Sequence, residues 1–214
     1  MPISESADLT LFYAPQSRAA TALRFMEELD QPYRLEVIDL NKGDQKKPEF
    51  LRRNPMGKVP LALDGDVAVA ETGAIFSYLA DKYAPGRLAP RPAEPERADY
   101  LRWLFFAAGV MEPAYGQKFF NWEVPSRQAG WGSYDQMLEV VTEAVGSREW
   151  LAGSFSAADI YVASTLRYGI LFGIIPNEGA VADYVNRWSD RPATKRAAEI
   201  DERLTSEHSA ASPS

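Results

Sequence analysis

Residues 54–83 read NPMGKVPLALDGDVAVAETGAIFSYLADKY, and this stretch decides the fold. Two short apolar runs, LAL (61–63) and VAVA (67–70), flank Asp64-Gly65-Asp66. Asp-Gly between apolar runs marks a tight hairpin, because glycine takes the positive φ that such a turn demands. Residues 71–83 then place Ala74, Ile75, Tyr78 and Leu79 at helical spacing. The stretch therefore predicts strand, strand, helix.

Upstream, LTLFY (9–13) has the apolar density of a short buried strand. Residues 18–29 carry Ala19, Ala22, Leu23, Phe25, Met26 and Leu29 at helical spacing, and YRLEVIDL (33–40) alternates like a second strand. Two strands joined by one helix imply a parallel pair with a right-handed crossover. The first part of the chain thus reads β-α-β, a variable segment, then β-β-α.

Downstream, residues 84–95 (APGRLAPRPAEP) hold four prolines and cannot continue the helix, so they read as an interdomain linker. Beyond them the strand signals vanish. One long aromatic-rich helix is expected over 96–120, with further helices at 133–145, 156–172, 179–188 and 191–203. The tail, SEHSAASPS (206–214), is small and polar and is expected to be disordered. The predicted architecture is an α/β domain over 1–84, a linker over 85–95, an all-helical domain over 96–205 and the tail.

Composition removes several kinds of chemistry. The 214 residues include no cysteine, which excludes disulfides, thiolate metal sites and redox chemistry by the protein's own thiols. A single histidine, His208, makes a histidine-based triad or zinc site a poor reading. A formal net charge of -7 argues against a general nucleic-acid binder. No apolar run reaches membrane-spanning length. The N-terminus MPISESADLTLFY lacks the basic-then-apolar pattern of a secretory signal, so a cytoplasmic protein is expected.

Four stretches give the chain a resemblance to the glutathione S-transferase superfamily, spread over residues 9–204. NPMGKVP (54–60) resembles the family's loop ending in a cis-proline, and AETGAIFSYLADKY (70–83) its Glu-Ser/Thr helix start. GSFSAADIYVAS (153–164) is similar to its capping box with a buried aspartate, and RWSDRPATKRA (187–197) to its C-terminal Arg-Pro segment. The resemblance implies a thioredoxin-like N-terminal domain that binds glutathione as co-substrate, with no metal. It further implies an all-α C-terminal helical bundle walling a site for a small hydrophobic electrophile. Family members are usually homodimers and serve detoxification.

The resemblance also implies roles for particular residues. The reactive thiol belongs to the ligand, and lowering its pKa by about two units takes roughly 2.7 kcal/mol of preferential thiolate stabilisation. Charge-assisted hydrogen bonds and a helix N-terminus supply energies of that size. Three residues of the turn after the first strand are candidates. Ser17 sits at the expected N-cap of the first helix, Tyr13 ends the strand, and Arg18 stands where beta-class bacterial enzymes carry a cysteine. That departure favours activation by a hydroxyl and a theta/beta-like, non-cysteine class.

For glutathione itself, Lys58 matches a theta-class lysine and is expected to take the glycine carboxylate. Residues 42–58 hold six basic and two acidic side chains, a local balance of +4 that suits an anion. Val59, before a cis Pro60, offers its backbone N–H and C=O to the cysteinyl unit as a one-residue strand addition. Glu71 suits the γ-glutamyl ammonium, and Thr72 with the free N–H groups of its helix suits the carboxylate.

Phe106, Tyr115, Phe119 and Phe172 are candidates for the electrophile pocket. About two-thirds of the aromatic-rich set Trp103, Phe106, Met111, Tyr115, Phe119, Phe120 and Trp122 is expected to be core. Ser156 to Asp159 reads as a structural capping box. Two other readings stand beside the transferase: a non-catalytic glutathione-binding or scaffold protein of the same fold, and a glutathione-dependent peroxidase or disulfide reductase.

Overall fold

A computed structural model describes residues 3–211, with side chains through His208. The described chain divides into two compact units: the residues up to Tyr83 together with those from Arg191 onward, and Ala84–Asp190.

The first unit is built on a four-stranded mixed sheet. Its strands are β1 (Leu9–Tyr13), β2 (Tyr33–Val37), β3 (Leu61–Asp64) and β4 (Val67–Ala70), in the spatial order β2-β1-β3-β4. β1 pairs parallel with β2 and antiparallel with β3, and β3 pairs antiparallel with β4. Gly65 closes the β3–β4 hairpin at φ 58°, as its sequence requires. Between β1 and β2 runs α1 (Ala19–Leu29); α2 (Pro48–Leu51) lies in the variable segment, and α3 (Thr72–Tyr83) follows β4. This is the thioredoxin-like arrangement expected from the sequence.

One carboxylate ties the hairpin to α3. Asp64, the last residue of β3, accepts hydrogen bonds from Tyr78 Oη (2.9 Å), Tyr83 Oη (2.7 Å) and Lys82 Nζ. Burial pushes its carboxyl up, but these three donors outweigh burial and hold it below the usual carboxylate range. The neighbouring carboxylate raises Lys82 in turn. A depressed Asp64 contributes stability that is present above the ordinary carboxylate pKa of about 4 and is lost as the pH falls below it. Thermal melting is expected to hold steady above that range and to drop in acid, and Asp64→Asn should flatten the acid limb. An identical acid limb in the variant would contradict the assignment.

The last helix departs from expectation in two ways. α9 (Pro192–Ala211) runs six residues into the stretch expected to be disordered, because its serines, acids and alanines are compatible with a continuing helix; residues 212–214 lie outside the described chain. It also belongs with the first unit, not with the helical domain. Every residue of α1 is buried, including Arg24, Glu27 and Glu28, because α9 covers the outer face of α1. The polar residues on that face have partners there. Arg191 grips Glu28 in two hydrogen bonds of 2.5 and 2.9 Å, and Arg196 Nε meets Glu27 at 2.9 Å. Glu27 also accepts the Tyr33 hydroxyl at 2.8 Å, and burial pushes that phenol far above its ordinary pKa.

The second unit holds α4 (Glu96–Phe106), α5 (Glu112–Phe120), α6 (Tyr134–Ser147), α7 (Ala157–Leu171) and α8 (Gly179–Ser189). The expected single helix over 96–120 is interrupted by a wide π turn at Ala107–Met111. Pro113 lacks the N–H that would bond the Gly109 carbonyl, and a wide turn relieves that mismatch. The proline-rich segment is packed against its own unit. Leu88 and Ala89 are buried, and the Leu88 carbonyl accepts the Ala157 N–H at 2.8 Å.

Asp159 is fully buried at the start of α7. It accepts from Leu151 N (2.8 Å), Ser156 N (2.8 Å), Ser156 Oγ (3.0 Å) and Tyr184 Oη (2.7 Å). Burial nevertheless raises its carboxyl above the usual range. The capping box is therefore present as predicted.

The aromatic set is less buried than expected. Trp103, Met111 and Tyr115 are core, while Phe119, Phe120 and Trp122 are more than 45% exposed. Phe119 and Phe120 lie in the last turn of α5 and Trp122 just beyond it, where Asn121 takes a left-handed conformation and ends the helix.

Candidate functional site

Register alone gathers the predicted loops of the first unit. Tyr13 pairs with Val37, which puts the turn after β1 beside the segment after β2. Phe12 pairs with Leu61, so that turn also meets Val59–Pro60 at the start of β3. Leu61 in turn pairs with Ala70, which brings Glu71 and Thr72 to the same end. Four loops far apart in sequence thus share one edge of one sheet.

The turn after β1 is held by Ser17. Its Oγ donates to the Ala14 carbonyl at 2.7 Å and accepts the Ala19 N–H at 3.1 Å, and it is half-buried. The hydroxyl thus caps the start of α1 from one position further out than the sequence suggested, since Arg18 occupies the N-cap. Arg18 is half-buried in helical backbone. Gln16 adopts φ 54°, a left-handed conformation that costs a non-glycine residue about 1 kcal/mol. Tyr13 is fully buried, and its hydroxyl donates to Asp201 of α9. Of the three candidates, Ser17 is the hydroxyl that stays on the turn.

The loop into β3 is organised by a residue that sequence reading did not single out. Buried Asn54 donates to the Lys58 carbonyl at 2.8 Å and accepts the Met56 N–H at 3.2 Å. Asn-Pro is itself a turn signal, and an asparagine bonding its own backbone two residues on is the mechanism. Gly57 completes the loop at φ 59°. A Cβ there would sit 2.7 Å from Lys46 Nζ and 2.8 Å from the Gln45 carbonyl, so only glycine fits. The Val59–Pro60 peptide is cis.

The basic segment is more neutralised than its count suggested. Lys42 pairs with Asp39 at 2.9 Å and Lys47 with Asp44 at 2.6 Å, while Lys46 Nζ donates to the Met56 carbonyl at 3.2 Å. In the two ion pairs, Lys42 and Lys47 are raised and Asp39 and Asp44 lowered by the partner's hydrogen bond. Lys58 is exposed and has no ion pair among the described residues.

At the third loop, Glu71 is exposed and takes φ 69° immediately before α3. Its carbonyl accepts the Ile75 N–H at 2.9 Å, which makes it the cap of the helix. The first N–H groups of α3, beginning at Thr72, have no partner within the helix and point outward. Backbone strain of about 1–3 kcal/mol at such a position is the mark of a site whose geometry is held by its surroundings.

The remaining candidates lie in the helical unit. Phe106 is half-buried with its ring 5.0 Å from Trp103, edge to face. Tyr115 is buried, its hydroxyl 2.8 Å from where a Cβ on Gly169 would lie. Phe119 is exposed against Phe120 at 5.0 Å, and Phe172 is exposed and stacked on Tyr168 at 6.3 Å.

Known proteins resemble this chain in sequence and fold. The family of the glutathione S-transferase N-terminal domain matches residues 7–81. The disulfide-bond oxidoreductase YfcG of Escherichia coli is 32% identical over 207 residues, spanning 88% of this chain and 94% of that protein. The chain belongs to the glutathione S-transferase family. Another member, glutathione S-transferase 1 of Dianthus caryophyllus, is 33% identical over 187 residues, with 79% and 83% of the two chains covered. Among solved transferases, URE2P8 of Phanerochaete chrysosporium, crystallised with oxidised glutathione, superposes with a TM-score of 0.78 at 25% identity over 95% of this chain and 99% of its own. URE2P6 from the same fungus, also in complex with oxidised glutathione, gives 0.78 at 26% identity over 93% and 98%.

Proposed function

We propose that this chain is a glutathione transferase that holds the thiol of glutathione ionised and presents it to hydrophobic electrophiles. The observation that carries the reading is the convergence of the Ser17 turn, Val59–Pro60 and Glu71–Thr72 at one sheet edge. Glutathione supplies the nucleophilic sulfur that a chain without cysteine lacks. In this reading the Val59 backbone pairs with the cysteinyl unit. Glu71 takes the γ-glutamyl ammonium, and Thr72 with the N–H groups of α3 takes the carboxylate. Lys58, exposed and without an ion pair among the described residues, takes the glycine carboxylate. The donor set fits an anionic tripeptide with a zwitterionic end, and the glutathione complexes of the fungal relatives support it.

Ser17 has one proton to give. Its hydroxyl must turn from the Ala14 carbonyl to the sulfur, exchanging a neutral hydrogen bond for a charge-assisted one that is about twice as strong. The Ala19 N–H donated to Ser17 Oγ remains in place and polarises the hydroxyl toward donation. Tyr13 fixes the strand end through Asp201, and Arg18 adds positive charge beside the turn. Phe106, Phe119 and Phe172 supply the apolar wall for the electrophile, while Tyr115 is packed in the core of the helical unit. The enzyme works in the cytoplasm as a homodimer.

A second reading, reduction of disulfides or hydroperoxides, gains weight from the Escherichia coli relative named a disulfide-bond oxidoreductase. In this chain both sulfur partners of such a reaction have to come from ligands. Assays with an aryl halide, a hydroperoxide and a mixed disulfide separate the readings. Conjugation of the aryl halide is the expected result. Turnover confined to the other two substrates supports the second reading. Binding of glutathione without turnover on any of them leaves a binding protein, and absence of binding overturns all of these.

A further inference from the structure

His208 was expected in a disordered tail, yet α9 carries it to the same sheet end as the Ser17 turn. A cavity of about 170 Å³ lies there within the first unit. Pro15 of the turn and Ile38 beyond β2 give it an apolar floor. Its polar lining is Gln16 of the turn, Asn41 of the segment after β2, and Thr205 and His208 of α9. We infer that this cavity is a binding site for a small carboxylate with an apolar body, recognised by His208, and distinct from the glutathione positions proposed above.

Size and chemistry both point this way. Pockets for drug-sized ligands run to about 300–1,000 Å³, so this one is too small for a tripeptide and suits a single ring. All four polar lining residues carry hydrogen-bond donors, and no carboxylate among the described residues lines the cavity. An acid beside it is Asp39, whose Oδ1 lies 3.9 Å from His208 Nε2. Asp39 is committed to its own loop, where it accepts the N–H groups of Asn41 (3.0 Å) and Lys42 (3.1 Å) and pairs with Lys42 Nζ. Asp44 behind it accepts the Asp39 N–H and pairs with Lys47, while on α9 Arg203 pairs with Glu207. The charges around His208 are therefore compensated in pairs, and an entering carboxylate meets donors. The left-handed backbone of Gln16 presents the turn to this cavity.

The inference does not depend on glutathione being the co-substrate, and the test keeps the two apart. With one histidine in the sequence, the imidazole Cε1 proton gives a single assignable NMR signal. Titration of the whole protein with benzoate is expected to move that signal saturably, and the neutral analogue benzamide should not. By calorimetry, His208→Gln should weaken benzoate about tenfold, the loss of one charge-assisted hydrogen bond. Thr205→Val, which leaves the histidine as reporter, should weaken it several-fold. Saturating glutathione should leave benzoate bound. The inference is overturned by absence of a saturable shift, by an equal response to benzamide, by undiminished affinity in His208→Gln, or by displacement with glutathione.

Discussion

Replacing Ser17 with alanine is expected to raise the pKa of bound glutathione's thiol by about two units, which removes roughly 2.7 kcal/mol of thiolate stabilisation. At neutral pH kcat/KM should then fall about a hundredfold. Ser17→Thr keeps the hydroxyl and should recover much of the loss. Stability should change far less, because the residue also caps α1 and such a cap is worth about 1 kcal/mol. The thiolate absorbs near 240 nm, so a pH titration of the binary complex reads its ionisation directly. Tyr13→Phe is expected to leave that ionisation nearly unchanged, because the phenol donates to Asp201 and its ring is fully buried. An unshifted titration in Ser17→Ala, with a shift in Tyr13→Phe or Arg18→Ala, would move the catalytic assignment to the other residue and leave the family membership intact.

Asp159→Ala is expected to produce the largest loss of stability. Four donors meet this one side chain inside the helical unit: the N–H groups of Leu151 and Ser156 and the hydroxyls of Ser156 and Tyr184. Removing it strands all four where water does not reach, and each orphaned group costs about 1–3 kcal/mol. Partial relaxation brings the expected total to about 3–5 kcal/mol. For a chain of this size that corresponds to a fall of about 10 °C in melting temperature. Asp159→Asn keeps the shape and one acceptor oxygen and should fall between the two. Glutathione affinity per folded molecule should be unaffected, since every hydrogen bond of Asp159 lies within residues 151–184. A melting temperature within 2 °C of wild type, or a selective loss of glutathione binding, would contradict this structural role.

The local signals were strong where one segment determines its own structure. The Asp64-Gly65 hairpin, the apolar spacing of α1 and α3 and the Ser156–Asp159 box each carry their cause within a dozen residues. What depended on a distant partner was not legible. Glu27 and Glu28 look like the solvent face of an amphipathic helix, and only α9, more than 160 residues on, makes that face an interior. For the same reason residues 191–203 could be read as helix but not assigned to the unit they cover, and the continuation to Ala211 was read as a tail. The exposed rings of Phe119, Phe120 and Trp122 belong to the same aromatic-rich stretch as the core residues Trp103 and Tyr115, and the sequence does not mark which of these rings meet a packing partner.

At the candidate site, the cis Val59–Pro60 peptide and the helix start at Thr72 were legible because a loop motif fixes their residue types. The pairing of Lys42 with Asp39 was not legible, since the count of charges over 42–58 omits Asp39. Asn54 holds the loop before β3 through its side chain, and its signal lay in the Asn-Pro step. His208 could not be placed from sequence at all, because a polar tail and the last turns of a docked helix have the same composition.

The central claim is that this chain ionises a thiol it does not itself carry. Difference absorbance at 240 nm, recorded as glutathione is added to the wild-type protein at pH 6.5, tests it most directly. A saturable thiolate band that is absent from the two components measured separately is the predicted result. Saturable binding without that band, or no binding at millimolar glutathione, would contradict it.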